Sequence, residues 1–276
     1  RIKRGKGAVE EALAMHEEAM RLYEALGDVR SKAVTLGDIA RIKKNKGAVE
    51  EALANFQEAL KLYEQIGEAK GKAVTLGDIA RIKTGKGAVE EALAMFQEKL
   101  KIVEALGDVR EKAVTLGDIA RIKRGKGAVE EALAMHEEQL KIWKALGDVR
   151  SKAVTLRDIA RIKVNQGAVE EALELQQENF QILQELGDKR EQAITLGDIA
   201  NIRMQQGQVD KAVELHEQEL EIYEQLGDLD SKATTLWDLA QIHLQRKEMQ
   251  AAFEKLAESY KINLKIGRLE GICVVG

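Results

Sequence analysis

The chain has 276 residues, of which 45% are hydrophobic, only 4% are aromatic and none is proline, a composition typical of long helices. Its 43 basic and 47 acidic residues nearly cancel, which argues against a nucleic-acid-binding domain that is basic throughout. The one cysteine, Cys273, excludes a disulfide framework, and neither a signal peptide nor an 18-residue apolar run is found, so we expect a reducing, cytoplasmic environment.

The sequence repeats itself every 40 residues. The segment Thr-Leu-Gly-Asp-Ile-Ala begins at Thr35 and returns, with changes in some copies, at Thr75, Thr115, Thr155, Thr195 and Thr235. A second segment, Gly-Ala-Val-Glu-Glu-Ala-Leu, begins at Gly7 and returns at Gly47, Gly87, Gly127 and Gly167 before it degrades. A fixed period of this length predicts an array of stacked structural repeats.

The first predicted element of each period is a helix. In the copy that begins at Asp28, apolar residues between 33 and 40 recur at helical spacing, and Asp28 itself is placed to cap the helix. Asp108 and Glu111 of a later copy have the spacing of a capping box. A short turn, Asn-Lys-Gly at residues 45–47, ends this helix.

A second helix follows the turn, with apolar residues three and four apart from Val49 to Tyr63. Gly67 ends it, because glycine tolerates a left-handed backbone. The second helices are predicted near residues 7–27, 47–67, 87–107, 127–147, 167–187, 207–227 and 247–267 of a single array over 1–276. Residues 1–4 and 268–276 match only parts of a repeat, so we expect a fragment of a larger protein, with a designed or trimmed array as the alternative.

These residues resemble the tetratricopeptide repeat. Leu36, Ile39 and Ala40 fall on the large residue and the Leu-Gly pair of its first helix, and Ala52 and Phe56 follow in the second helix. Lysine replaces an aromatic residue at position 43, the terminal proline is absent, and the period is 40 residues. Repeats of this long variety are similar to those of kinesin light chains, spindle-orientation adaptors and the sensor arrays of bacterial signalling ATPases. The resemblance implies an all-α, right-handed solenoid of antiparallel helix pairs.

The resemblance also implies a binding site. First helices line the concave groove of such arrays, which implies a partner-binding surface that takes an extended or helical peptide. The groove positions implied in this chain are Val34, Asp38, Arg41, Lys44, Asp78, Arg81, Asp118, Arg121, Arg124, Arg157, Asp158, Arg161, Asp198, Asn201, Trp237 and Gln241.

Charge is divided unequally between the two helices of a repeat. Residues 29–46 carry six basic and one acidic side chain, whereas residues 47–68 carry one basic and five acidic side chains. A basic groove predicts an acidic partner segment, with Trp237 as an apolar anchor in the later copies, although Trp237 could instead be a core substitution. The alternative for the arginines is structural, because an aspartate and an arginine three residues apart on a helix can pair with each other.

The other candidate features favour packing. Glycine inside the first helices, as at Gly37, predicts a close approach of a neighbouring helix or of a ligand backbone. His16, His136 and His216 share one repeat position, and we expect them to be half-buried packing residues and not metal ligands. No catalytic arrangement and no cofactor motif is predicted.

The leading functional hypothesis is therefore a protein-interaction scaffold, the sensor or adaptor part of a larger intracellular signalling protein. One alternative is self-assembly, in which near-identical repeats stack end to end as a filament or spacer. A weaker alternative is nonspecific nucleic-acid binding through the basic ladder, with a steep salt dependence.

Overall fold

A computed structural model describes the backbone of residues 2–268 and the side chains of residues 9–268, and these residues form thirteen α-helices and no strand. Cys273 and all but the first residue of the incomplete repeat predicted at 268–276 lie outside the described residues. The helices are α1 (Ile2–Leu26), α2 (Val29–Asn45), α3 (Val49–Gln65), α4 (Ala69–Gly85), α5 (Val89–Ala105), α6 (Val109–Gly125), α7 (Val129–Leu146), α8 (Val149–Asn165), α9 (Val169–Glu185), α10 (Lys189–Gln205), α11 (Val209–Leu226), α12 (Leu229–Gln245) and α13 (Met249–Ile266).

Side-chain caps and glycines set the ends of these helices. Asp28 accepts a hydrogen bond from the backbone amide of Ser31 (3.0 Å) and so caps α2, as its position in the sequence predicts. Gly47, after α2, and Gly67, after α3, have positive φ angles of 84° and 67°, which reverse the chain at low cost. Lys247 holds the same turn position with φ of 60°, a strained angle for a residue with a β-carbon.

The core repeats with the sequence. One cluster consists of Ala40, Ala52, Phe56, Ile79 and Ile82, all less than 9% exposed. It joins a first helix, the second helix of the same repeat and the first helix of the next. The same positions, 40 residues later, form the next cluster around Phe96. Each helix pair therefore buries its apolar face only when a neighbouring pair stacks against it.

The chain divides into two compact units, residues 1–142 and 143–276. In the first unit α2 packs against α3, α3 against α4, and α4 against α5; in the second, α8 to α13 pack in the same sequential way. Each unit is thus an all-α solenoid of helix pairs, and the fold class expected from the sequence is confirmed. No helix among residues 2–268 is long and apolar enough to cross a membrane.

The start of α1 differs from the prediction. The glycines at positions 5 and 7 predict a turn between two helices, with a second helix near residues 7–27. The backbone is instead helical without a break from Ile2 to Leu26. Continued intrahelical hydrogen bonding therefore takes the place of the predicted turn.

Candidate partner-binding surface

Pockets open between successive first helices. One of about 200 Å³ lies between α2 and α4 and is lined by two predicted groove residues, Val34 and Arg41, together with Gly37, Tyr63 and Val74. Another of about 160 Å³ lies at the corresponding place between α4 and α6, and a third of about 140 Å³ between α8 and α10. Concave sites therefore recur with the repeat, but of the predicted groove residues only Val34, Arg41 and Arg157 line these three pockets.

The pockets share a common frame. A basic residue in the first turn of the first helix stands at the rim, such as Arg30 or Arg150, whose side chains are 72% and 71% exposed. A valine one turn later lines the wall, and Val34 is 47% exposed. Exposed apolar surface beside exposed positive charge gives each pocket both an apolar and an electrostatic contact for a ligand.

The predicted arginine ladder contacts aspartates of two successive repeats. Arg41 Nη1 lies 3.0 Å from Asp38 Oδ1 in the same helix, and its Nη2 lies 2.9 Å from Asp78 Oδ2 in the next first helix. Arg81 reaches Asp118 in the same way at 2.7 Å. The arginines therefore do pair with aspartates of their own helix, and they also pair with aspartates of the next first helix. A role of these arginines in partner binding stays a prediction.

The remaining arginine–aspartate pairs follow the same pattern within each unit. Arg121 lies 3.3 Å from Asp118, and Arg161 lies 3.2 Å from Asp198. Asp158, another predicted groove residue, is only 8% exposed. These contacts leave the arginine side chains about half exposed, so each could still contact a partner.

Lysines of the first helices pair with glutamates of the second helices on both sides. Lys72 Nζ lies 2.7 Å from Glu98 and 3.0 Å from Glu64, and these hydrogen bonds raise the pKa of its ammonium group. Lys32, Lys112 and Lys232 bridge their neighbours in the same way. The basic residues of the first helices and the acidic residues of the second helices therefore form ion pairs that link adjacent helices of the stack.

The other predicted residues are spread along the first helices. Lys44 and Asn201 are exposed, whereas Arg124 and Gln241 are half-buried. Trp237 is also half-buried, and burial of the adjacent Asp238 raises the pKa of its carboxyl group. The use of Trp237 as an anchor for a partner stays a prediction.

A comparison with known families agrees with this geometry. The family model described as tetratricopeptide repeat matches residues 1–65, 31–105, 111–185 and 191–265, which together span most of the chain. The chain belongs to the tetratricopeptide repeat family. No curated protein sequence matches it significantly.

Several solved structures resemble this tetratricopeptide repeat chain. A signal transduction ATPase with a tetratricopeptide repeat sensor from Pyrococcus horikoshii has 17% identity and a TM-score of 0.79 over the whole chain, which covers 43% of that protein. The apo quorum sensor NprR from B. thuringiensis has 15% identity and a TM-score of 0.69 over 99% of this chain and 80% of its own. A kinesin light chain from Podosopora anserina with nearly identical repeats has 23% identity and a TM-score of 0.60, over 70% of this chain and 96% of its own. At these identities the likeness shows the fold alone.

The tetratricopeptide repeats also differ at a buried position of the second helix that the sequence analysis did not single out. Lys99, at this position, is 2% exposed, and its Nζ would lie 3.1 Å from a β-carbon added to Gly77. The equivalent Gln139 and Glu219 would lie 2.5 Å and 2.9 Å from β-carbons at Gly117 and Gly197. The residues at this position are Ala19, Ala59, Lys99, Gln139, Asn179, Glu219 and Ser259.

Glycine in the first helices therefore makes room for a different side chain in each repeat. This confirms close packing at Gly77, Gly117 and Gly197, while Gly37 faces Ala59 and has no side chain within 4 Å of an added β-carbon. Aligning the copies position by position would have shown this variation, but only the structure shows that it lies beneath the glycines. His16 is half-buried as expected. His136 and His216 lie deeper, since they are 0% and 1% exposed and contact Gln139 and Glu219.

Proposed function

We propose that this chain is a protein-interaction scaffold that binds a peptide or protein segment along the pockets between its first helices. Within a larger intracellular signalling protein it would serve as the sensor or adaptor part and would need neither a catalytic residue nor a cofactor. The similarity to a signalling ATPase with a repeat sensor and to a quorum sensor supports this role. The surface proposed is the set of predicted groove residues from Val34 to Gln241.

The recurring pockets carry this proposal. The pocket between α2 and α4 combines Val34 and Val74 on its walls with Arg30 and Lys70 at its rim. Pockets of this kind also lie between α4 and α6 and between α8 and α10, and an extended segment could place successive side chains in the neighbouring pockets between α2 and α6. Several small contacts of this kind can together give affinity.

The rim favours an acidic segment with small apolar side chains. Arg30 is 72% exposed and lies 3.9 Å from Glu68, a long and solvated pair. Such surface pairs contribute about 0–1 kcal/mol, so a carboxylate of a partner can replace Glu68 at little cost. Complementary charge would mainly accelerate association.

Selection from a random-peptide phage library on the full chain tests this proposal. Peptides that bind should contain acidic and small apolar residues, and a variant with Val34→Asp and Val74→Asp should bind them at least about tenfold more weakly, because losing one buried apolar contact costs roughly 1–2 kcal/mol. Affinities would be measured by fluorescence anisotropy. The matched control is Met15→Asp with Leu22→Asp, two exposed apolar residues on α1.

The two variants separate the possible outcomes. Peptides that bind the Val34/Val74 variant as tightly as the native chain would place recognition outside these pockets. Equal weakening by the control would show a nonspecific effect of added negative charge. Selection of basic peptides would contradict the expected chemistry of the partner.

A further inference from the structure

The fourth repeat breaks the glycine pattern. Position 157 is arginine where the other copies have Gly37, Gly77, Gly117 and Gly197 or, in the last copy, Trp237. Arg157 does not extend into solvent, since its side chain is only 16% exposed and its Nη1 donates a hydrogen bond to Glu191 of the next first helix. It lines the pocket of about 140 Å³ between α8 and α10.

The same pocket holds a second repeat-specific polar residue, Asn179. It is 1% exposed and stands at the second-helix position that is lysine, glutamine or glutamate in other copies. Ala153, Val154 and Leu183 supply the apolar part of the lining. The pocket thus combines an apolar wall with two buried polar groups that no other repeat has in this combination.

The orientation of the Asn179 amide is fixed by its neighbours. Thr195 Oγ1 donates its own hydrogen to the carbonyl of Glu191 (2.9 Å), so towards Asn179 it can only accept. Gln176 uses its amide nitrogen on Asp198, so its oxygen also accepts. Asn179 Nδ2 therefore donates towards Thr195 Oγ1 and Gln176 Oε1, and Asn179 Oδ1 is left as an acceptor.

Two buried polar atoms of this pocket lack a partner among the residues that the structure describes. They are the donor Arg157 Nε–H and the acceptor Asn179 Oδ1. Buried polar atoms normally find a hydrogen-bond partner, so an unpaired donor and an unpaired acceptor on two residues that line one pocket mark a place for a polar ligand group.

We propose that this pocket binds the carboxamide side chain of an asparagine or glutamine in the bound peptide. A carboxamide supplies an acceptor for Arg157 Nε–H and a donor for Asn179 Oδ1 at once. A carboxylate lacks the donor and would face Glu191, which stands where the pocket between α2 and α4 has Gly71, whereas an ammonium group would face Arg150 and Arg157. The assignment of the carboxamide to a bound peptide rests on the proposed function. The preference of the pocket for a carboxamide group does not depend on that function.

Titration of the full chain with three small molecules of similar size tests the pocket directly. Propionamide carries a donor and an acceptor, butanone only an acceptor, and propionate an acceptor with negative charge. Arginine is labelled with 15N, and the Nε–H signal that disappears in the Arg157→Gly variant is followed by NMR. Propionamide should shift this signal with an affinity at least about fivefold higher than either analogue, the effect of one additional hydrogen bond.

Variants test the two proposed contacts. Asn179→Leu should remove the preference for propionamide, and urea unfolding checks that this variant still folds. If it does not fold, Arg157→Gly serves instead. That change restores the glycine of other repeats and should abolish binding. Arg190→Gln, a change of an exposed arginine outside the pocket, is the matched control and should bind propionamide normally.

The outcomes distinguish this inference from the proposed function. No shift with propionamide, or an equal response to propionate, would mean that the pocket holds only water and would overturn the inference even if library peptides bind elsewhere on the first helices. Specific binding of propionamide without any selected peptide would support the pocket and count against the peptide-binding function.

Discussion

A single glycine has different neighbours in different copies of a nearly identical repeat. Gly37 faces Ala59 and open space, whereas a β-carbon at Gly117 would lie 2.5 Å from Gln139 Nε2. Gln139 is 7% exposed and its Oε1 lies 3.0 Å from His136 Nδ1, so it could not move without losing that contact. The same residue in the same helical position therefore has opposite structural roles.

This difference predicts opposite effects of one substitution. Gly37→Ala should stabilise the chain by about 1 kcal/mol, because alanine is the better helix former and its methyl group meets nothing. Gly117→Ala should gain nothing or be destabilising, since displacing Gln139 costs about 1 kcal/mol or more. Urea midpoints of the two variants would measure the effect, and an equal gain in both would contradict the packing explanation.

At the scale of the helix, the two members of a repeat are capped differently. Asp108 caps the first helix α6 by accepting from the amide of Glu111 (3.0 Å), while Glu111 turns its carboxylate to Lys99 (2.8 Å). Only the first half of the predicted capping box is thus in place. The second helix α5 starts after Ala88, which has no side chain that can cap it.

The uncapped second helices can be improved. Ala88→Ser should stabilise the chain by about 0.5–1 kcal/mol, because a serine oxygen can accept from an amide of the first turn, as Asp108 does in α6. Ala88→Val adds bulk without an acceptor and is the control. Thermal and urea unfolding would measure the difference, and an equal effect of serine and valine would argue against capping.

The period, the helix pairs and most turns follow from the sequence because each has a local physical cause. Asp28 and Gly67 act within a few residues of their own position, so their roles can be predicted without a structure. The arrangement of Arg41 could not, because it depends on Asp78, which lies 37 residues away and comes close only through stacking. The common pocket of Arg157 and Asn179 is harder still, since aligning the copies shows each departure from the repeat but not that the two residues line the same pocket.

At the scale of the whole molecule, identical segments occupy different places in the stack. Residues 7–15 and 87–95 both read Gly-Ala-Val-Glu-Glu-Ala-Leu-Ala-Met, so their intrinsic amide exchange rates should match. Met15 is 69% exposed on α1, whereas Met95 is partly buried and packs against the clusters on both sides of α5. Residues 7–12 lie inside α1, whereas α5 begins only at Val89, so the first amides of the two segments differ in hydrogen bonding. Residues 13–15 and 93–95 lie inside a helix in both copies, and a difference in protection between them measures stacking.

Hydrogen exchange should accordingly be faster in α1 than in α5. We expect a difference of about tenfold or more, since each 1.4 kcal/mol of lost packing accelerates exchange tenfold by local opening. Proteolytic peptides that extend past residue 15 in one segment and past residue 95 in the other differ in mass, so the two identical segments can be followed separately. Equal protection would mean that the exposed face of α1 is covered in solution. Protection of α1 that rises with protein concentration would identify the cover as a second copy of the chain and would support end-to-end self-assembly over a monomeric scaffold.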